Sequence, residues 1–213
     1  MDVAGTYDTV AERYAEAYGA ELEHKPYDRA LLDAVAVAAA DGPLLDLGCG
    51  PGHISSYLRS RGREVLGVDL SPRMVEIASA RYPDVEFRVG DMRALDLPDG
   101  GYGGVVAPYS LIHLTPAERP AACAEIARVL SPGGLAMISF HLPAHPGAAP
   151  IHLDEWFDQP VSLDGYWMRR EDLLPPLAAA GLHEEAYLER QPSPGVEYPS
   201  TRGYLLLRKP ATP

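Results

Sequence analysis

Leu44-Leu45-Asp46-Leu47-Gly48-Cys49-Gly50-Pro51-Gly52 is the stretch that decides the fold. A short, mostly apolar run ends in a turn with three glycines, and a helical pattern through Ile54, Tyr57 and Leu58 follows. A strand that turns on glycine into a helix opens a βαβ unit. The rhythm continues downstream. Glu64–Val68 predicts a second strand and Val85–Val89 a third; Gly104–Ala107 predicts a fourth and Leu135–Phe140 a fifth. Between them, Ser71-Pro72 caps a helix through Met74, Val75 and Ala78, and another helix runs from Pro116 to Leu130, stopped by Ser131-Pro132-Gly133-Gly134. Upstream, the periodicity predicts helices over residues 6–19 and from Pro26 to about Ala40. Downstream, residues 141–168 show no clear period and read as an insertion; a helix from Arg169 to Ala180 and two strands, 182–188 and 203–208, close the chain as an antiparallel pair. Short strands alternating with helices imply a parallel sheet covered on both faces, an α/β fold.

The turn also indicates a ligand. Glycines let the backbone approach a bound group closely, and the helix that follows offers free N–H groups. The spacing is G-x-G-x-G, with His53 where a dinucleotide fingerprint would carry its third glycine. Asp46, two residues before the first glycine, suits a cationic amine better than a pyrophosphate. Asp69, at the end of the second strand and 21 residues after Gly48, is placed to bond a ribose diol. Together these residues call for a nucleoside carrying an amino-acid tail.

Composition narrows the class. The 213 residues carry a formal net charge of −12 and are 46% hydrophobic, typical of a folded globular chain. The deficit of Lys and Arg argues against nucleic acid as a partner. No apolar run is long enough to span a membrane, and no basic segment leads into an apolar stretch near Met1, so neither membrane nor secretory leader is expected. Two cysteines, Cys49 and Cys123, fit a reducing cytoplasm.

Residues 44–53, L-L-D-L-G-C-G-P-G-H, resemble the first motif of the class I S-adenosylmethionine (SAM) dependent methyltransferases. Val68-Asp69-Leu70-Ser71-Pro72-Arg73-Met74 resembles the second, Gly90-Asp91-Met92 the third, and Arg128–Gly134 the turn before the fifth strand. The likeness covers roughly residues 40–141, in order and spacing. It implies a Rossmann-like, doubly wound, seven-stranded sheet, mostly parallel with the last strand antiparallel, with N-terminal lid helices (1–40), a SAM-binding core (41–141), a substrate cap inserted after the fifth strand (142–168) and a C-terminal helix and strand pair (169–213), all one domain. It further implies that Asp46, Gly48, Cys49 and Gly50 line the methionine end, that Asp69 binds the ribose, and that Leu70, Met74, Asp91 and Met92 frame the adenine. Ala107 and Tyr109 would pass beside the sulfonium, with the Tyr109 ring face suited to a cation, and Tyr14 would sit on the lid.

Other residues admit two readings. Tyr7, Tyr14 and Tyr18 share a helix face, either as plain packing or as a lid closing over the cofactor. His24, Lys25 and Arg29 are solvated surface or a partner for the cofactor carboxylate. Cys49 reads as a small turn residue rather than a nucleophile. His113 is either a general base or a structural cap. His141, His145 and His152 with Asp154 or Glu155 match no regular metal spacing, and no metal is expected. Trp156, Phe157, Tyr166 and Trp167 are expected to wall an acceptor pocket. Nucleobase amine methylases often carry N-P-P-Y after the fourth strand; here Val106-Ala107-Pro108-Tyr109 lacks the Asn.

The expectation is therefore SAM-dependent methyl transfer to a small-molecule acceptor, such as a secondary metabolite or quinone-like ring, releasing S-adenosylhomocysteine, by a cytoplasmic monomer or homodimer. The alternatives are a SAM-fold enzyme without net methyl transfer, a cyclase or decarboxylase, and a non-catalytic nucleoside-binding protein. A NAD-dependent oxidoreductase is disfavoured by the glycine spacing and Asp46.

Overall fold

Strand β1 (Leu44–Leu47) is buried along its whole length and sits near the middle of the sheet, as its apolar run requires. The structure, a computed structural model, describes residues 2–211. Helix α1 (Val3–Tyr18), a 3₁₀ turn (Glu21–His24) and α2 (Pro26–Ala38) precede β1. The core then runs α3 (His53–Ser60), β2 (Val65–Asp69), α4 (Pro72–Arg81), β3 (Glu86–Val89), β4 (Tyr102–Pro108), a 3₁₀ turn (Leu111–His113), α5 (Arg119–Val129) and β5 (Leu130–His141). The chain continues through β6 (Ile151–Trp156), β7 (Gln159–Gly165), α6 (Arg170–Ala179), β8 (His183–Arg190) and β9 (Arg202–Arg208).

Seven strands form one sheet in the order β3-β2-β1-β4-β5-β9-β8. Neighbours among β1 to β5 pair in parallel, while β9 runs antiparallel to both β5 and β8. The seven-stranded, doubly wound α/β expectation holds. Successive residues serve opposite faces: Leu45, Val105 and Ile138 pack with α5 and α6 on one side, while Leu44, Val106 and Met137 pack with α2 and α3 on the other. Strand order reverses between β1 and β4, and the crevice at their C-terminal ends is where open sheets of this kind take ligands.

Two elements differ from the sequence reading. Helix α5 begins at Arg119, not Pro116, because Thr115 N and Oγ1 donate to Glu118 Oε2 and hold residues 115–118 in a preceding turn. The insertion is not simply loop: β6 and β7 form an antiparallel hairpin. Its two-residue turn, Phe157-Asp158, has φ of 53° and 59°. Such turns are usually announced by Asn-Gly or Asp-Gly. Here neither residue is glycine, so the usual signal is missing. Among the described residues no helix is long and apolar enough to cross a membrane.

Candidate active site

The glycine turn closes against two neighbours. Gly48 has φ +72°, and a Cβ there would lie 2.3 Å from that of Ser110, so the strand β4 loop leaves no room for any other residue. Gly50 has φ +51°, and its missing side chain faces open space with Tyr14 3.9 Å away. The turn is fixed to β2 by Gly48 N and Cys49 N, which donate to Val68 O at 2.8 and 3.1 Å. Gly50 N donates to Asp69 Oδ2 at 2.8 Å, and Ser71 N to Oδ1 at 2.9 Å. Each carboxylate oxygen of Asp69 thus keeps acceptor capacity for a ligand. Burial raises the Asp69 carboxyl above its usual range. Ser71 caps α4 by accepting from Met74 N, as its sequence position predicts.

A cleft of about 230 Å³ opens over this turn. Gly48, Cys49, Gly50, Asp69 and Leu70 lie on its wall, as do Asp91, Met92, Tyr14, Tyr109 and His113. Three expected site residues do not. Asp46, Met74 and Ala107 are fully buried behind the wall. Met74 turns into the core from the inner face of α4, and Ala107 lies inside the sheet. Asp46 accepts from Ser55 Oγ at 2.6 Å and so ties the start of α3 to β1. Its other oxygen has no partner among the described residues, and burial pushes its carboxyl up to about 6.

A carboxylate does face the glycine turn, and it is Glu21. His53 Nε2 lies 3.3 Å from one Glu21 oxygen and Lys25 Nζ 2.7 Å from the other. Burial alone would raise this carboxyl, but the bonds from His53 and Lys25 outweigh it and hold it below the usual range. No local motif announces Glu21. Its partner His53 is 32 residues away and stands out in the sequence only as a missing glycine. Lys25 is therefore committed to Glu21, and Arg29 to the carbonyls of Leu22 and Glu23, rather than either being free surface or a ligand's partner. At the other end of the cleft Arg93 clasps Asp91, Nε donating to both carboxylate oxygens at 3.0 Å and Nη2 to Oδ2 at 2.7 Å, which lowers that carboxyl.

Beyond β4 the wall changes character. Tyr109 has φ +53°, a strained position for a non-glycine residue. Its hydroxyl meets Tyr204 OH at 2.8 Å, its ring stacks on His141 at 4.9 Å, and Lys25 Nζ stands 5.6 Å over it. The cation over the ring is thus the protein's own. The phenol is turned into a buried network with Asp28 and Arg190, which leaves it no evident catalytic part.

His113 is held at both nitrogens. Nδ1 lies 2.9 Å from Asp164 O, and a carbonyl can only accept, so Nδ1 carries the proton. Nε2 is then the acceptor for Tyr7 OH at 2.8 Å. Burial lowers the His113 pKa, which keeps the ring neutral; the ring borders the cleft with its lone pair engaged by Tyr7 OH. Tyr7 comes from α1, which lies over α4: Asp8 Oδ1 accepts from Ser71 Oγ at 2.5 Å and Arg73 N at 3.1 Å. Thr6 Oγ1 donates to Ser162 O of β7 at 3.2 Å. The tyrosine stripe meets the hairpin tip: Trp156 packs edge-on to Tyr7 at 5.7 Å and to Tyr14 at 5.4 Å, and Phe157 reaches Tyr18 at 6.2 Å. Helix α1 roofs the cleft with Tyr7 and Tyr14, and the hairpin tip backs that helix; Trp156 and Phe157, expected to wall the pocket, do not line the cleft. The three histidines weighed for a metal have separate partners: His141 bonds Ser200, His145 its neighbour's carbonyl, and His152 Asp164 and Asp154. Among the described residues no group of three or more His, Cys, Asp or Glu is gathered.

Residues 44–134 match the model of the methyltransferase domain family. The chain is 34% identical over 146 residues to a demethylmenaquinone methyltransferase of Beutenbergia cavernae, an alignment covering 67% of this chain and 59% of that one. It is 28% identical over 209 residues to the N-demethylindolmycin N-methyltransferase of Streptomyces griseus, covering 84% and 86%. In fold it is similar to the cyclase SpnF, with a TM-score of 0.73 and 22% identity over 99% of this chain and 96% of that one. The chain belongs to the class I SAM-dependent methyltransferase family.

Proposed function

We propose that the chain transfers a methyl group from SAM to a small-molecule acceptor, releasing S-adenosylhomocysteine. One observation carries the reading: a single cleft runs from the Gly50–Asp69 bond to the hydrogen bond between Tyr7 OH and His113 Nε2. The residues present fit the cofactor. The open face at Gly50 admits its amino-acid tail, Glu21 opposes the amine, Asp69 accepts from the ribose hydroxyls, and Leu70, Asp91 and Met92 border the adenine. Bound there, the cofactor supplies a methyl carbon activated by its sulfonium.

The chain's own part is alignment, exclusion of water and movement of one proton. Tyr7 and Tyr14 cover the cleft, backed by Trp156, which keeps water from the reacting carbon. Once the acceptor displaces the Tyr7 hydroxyl from it, His113 Nε2 takes the proton that an O–H or N–H acceptor loses as it attacks, with Nδ1 held in register by Asp164 O. Positioning supplies most of the effect, since two reactants aligned in line need little else. Both the relatives and the apolar roof favour a ring-bearing acceptor of modest size. The acidic charge and two buried free thiols support a cytoplasmic monomer or homodimer that uses neither nucleic acid nor membrane. The division into lid (1–40), cofactor core (41–141), cap (142–168) and C-terminal segment (169–213) of one domain belongs to the same proposal.

Calorimetric titration with SAM, S-adenosylhomocysteine and NAD tests it. Micromolar binding of both adenosyl ligands and none of NAD is expected. Binding of NAD alone overturns it. A turnover assay that finds product but no S-adenosylhomocysteine selects the cyclase or decarboxylase reading instead.

A further inference from the structure

On the outer side of the cap lies a second cavity, of about 360 Å³, that shares no residue with the cofactor cleft. Arg119, the first residue of α5, lines it and is only 5% exposed. Its Nε donates to Leu114 O at 3.2 Å, and among the described residues its two Nη groups have no hydrogen-bond partner. Among the described residues no carboxylate is within ion-pair distance. Asp172, on the same wall, acts on it only from farther away and is engaged by Arg169 N at 2.8 Å. Both Nη groups open onto the cavity, so this largely enclosed charge is left to water, without a counter-ion among the described residues. A guanidinium offering two parallel N–H groups matches the two oxygens of a carboxylate.

The rest of the wall specifies what the carboxylate is attached to. Arg119 stands 5.8 Å over the Tyr166 ring, and Trp167 is held in place by donating to Ala149 O at 2.9 Å. Pro116, Pro150 and Pro176 complete an apolar, conformationally stiff surround. We propose that this cavity is a second binding site, for a small aromatic carboxylate whose ring lies against Tyr166 and Trp167 and whose anion is clasped by Arg119. The site does not depend on the identity of the cofactor. It is joined to the cleft by one short segment: Tyr166 N donates to Ile112 O at 2.8 Å, beside His113, and Asp164 O accepts the hydrogen bond from His113 Nδ1. Occupancy therefore stiffens the segment that orients the base.

Benzoate is the test probe, with benzamide as its uncharged control, followed through the indole N–H resonances of Trp167 and Trp156, assigned with Trp156→Phe. The expected result is that benzoate at millimolar concentration shifts Trp167 and not Trp156, and that benzamide binds roughly tenfold more weakly or worse. Arg119→Met abolishes the shift while S-adenosylhomocysteine affinity and melting temperature stay as in the wild type. Ala148→Trp, which fills the cavity from its rim, does the same and decides the matter if Arg119→Met does not fold. No Trp167 shift up to about 20 mM benzoate, or an equal shift in either variant, overturns the site. A normal benzoate response in a protein that binds no adenosyl ligand leaves this site standing and removes only the cofactor assignment.

Discussion

The two ends of the cleft are built differently. The nucleoside end is made by backbone. Gly48 N, Cys49 N and Gly50 N close the turn onto β2, and both Asp69 oxygens are held by main-chain amides within the same βαβ unit. The acceptor end is made by side chains from distant parts of the chain. Tyr7 meets His113 across 106 positions, His113 meets Asp164 across 51, and Thr6 meets Ser162 across 156. The first end is rigid as soon as the sheet forms. The second exists only when α1, the turn after β4 and the hairpin come together. Binding should therefore belong mainly to one end and turnover to the other, and variants can be chosen to break that division.

The largest effect is expected at the acceptor end. His113→Ala removes the proton acceptor and should lower turnover roughly 100-fold or more, with SAM affinity nearly unchanged. A single-turnover assay beside calorimetry checks both halves, and an unchanged rate would reduce His113 to a structural cap. The pH profile sharpens the point. Burial lowers the His113 pKa below the ordinary 6.5, so the ring is neutral at pH 7 and the acid limb of the rate should fall below 6.5. An acid limb above that value would assign the proton to another group.

Next is the nucleoside end. Asp69→Ala should weaken SAM binding by about 1.5–3 kcal/mol, some 10- to 100-fold, because ribose hydrogen bonds and the anchor of Gly50 N are lost together. The rate at saturating cofactor should change far less. A variant with wild-type affinity would overturn the ribose assignment.

Legibility followed the same division. The turn, its strand and helix, Asp69 and the Ser71 cap are contiguous features, so residue order alone announces them. Asp46 shows where local reasoning stops. Its place before Gly48 suggests a ligand contact, but whether a strand-end carboxylate faces outward or under the turn is set by packing, and here it supports Ser55. Glu21 has the opposite history: its segment carries no motif, and only the fold brings it beside His53. The hairpin was hidden because Phe157 and Asp158 adopt positive φ without glycine, and Tyr109 because its environment is assembled from α2, β5 and β9.

The buried Asp46 makes a smaller prediction, read in stability. Its folded pKa of about 6 lies above the 3.8 of an exposed aspartate, so the folded state holds the proton more tightly. Stability from this group is present below pH 3.8 and is lost as pH rises to about 6, by on the order of 2–3 kcal/mol. Asp46→Asn should remove that slope, which urea unfolding at pH 4 and pH 7 of both proteins would show. An unaltered slope means the carboxylate is less enclosed than its geometry indicates.

The smallest effect tests whether the two ends are separable at all. Tyr7→Phe keeps the ring against Tyr14 and Trp156 and deletes only the hydroxyl that donates to His113 Nε2. That bond stabilises the closed roof and also favours the neutral ring, so its loss pulls in two directions. The roof should open more readily, by about 1 kcal/mol, which lowers turnover a few-fold. The His113 pKa should move upward, because the donor to its Nε2 lone pair has gone, and the acid limb of the rate should follow it. SAM affinity should hardly change, since Tyr7 contributes no bond to the glycine turn or Asp69. If affinity falls as far as turnover does, closing α1 is part of cofactor binding, and the cleft is one cooperative unit rather than a preformed nucleoside site with an assembled acceptor site.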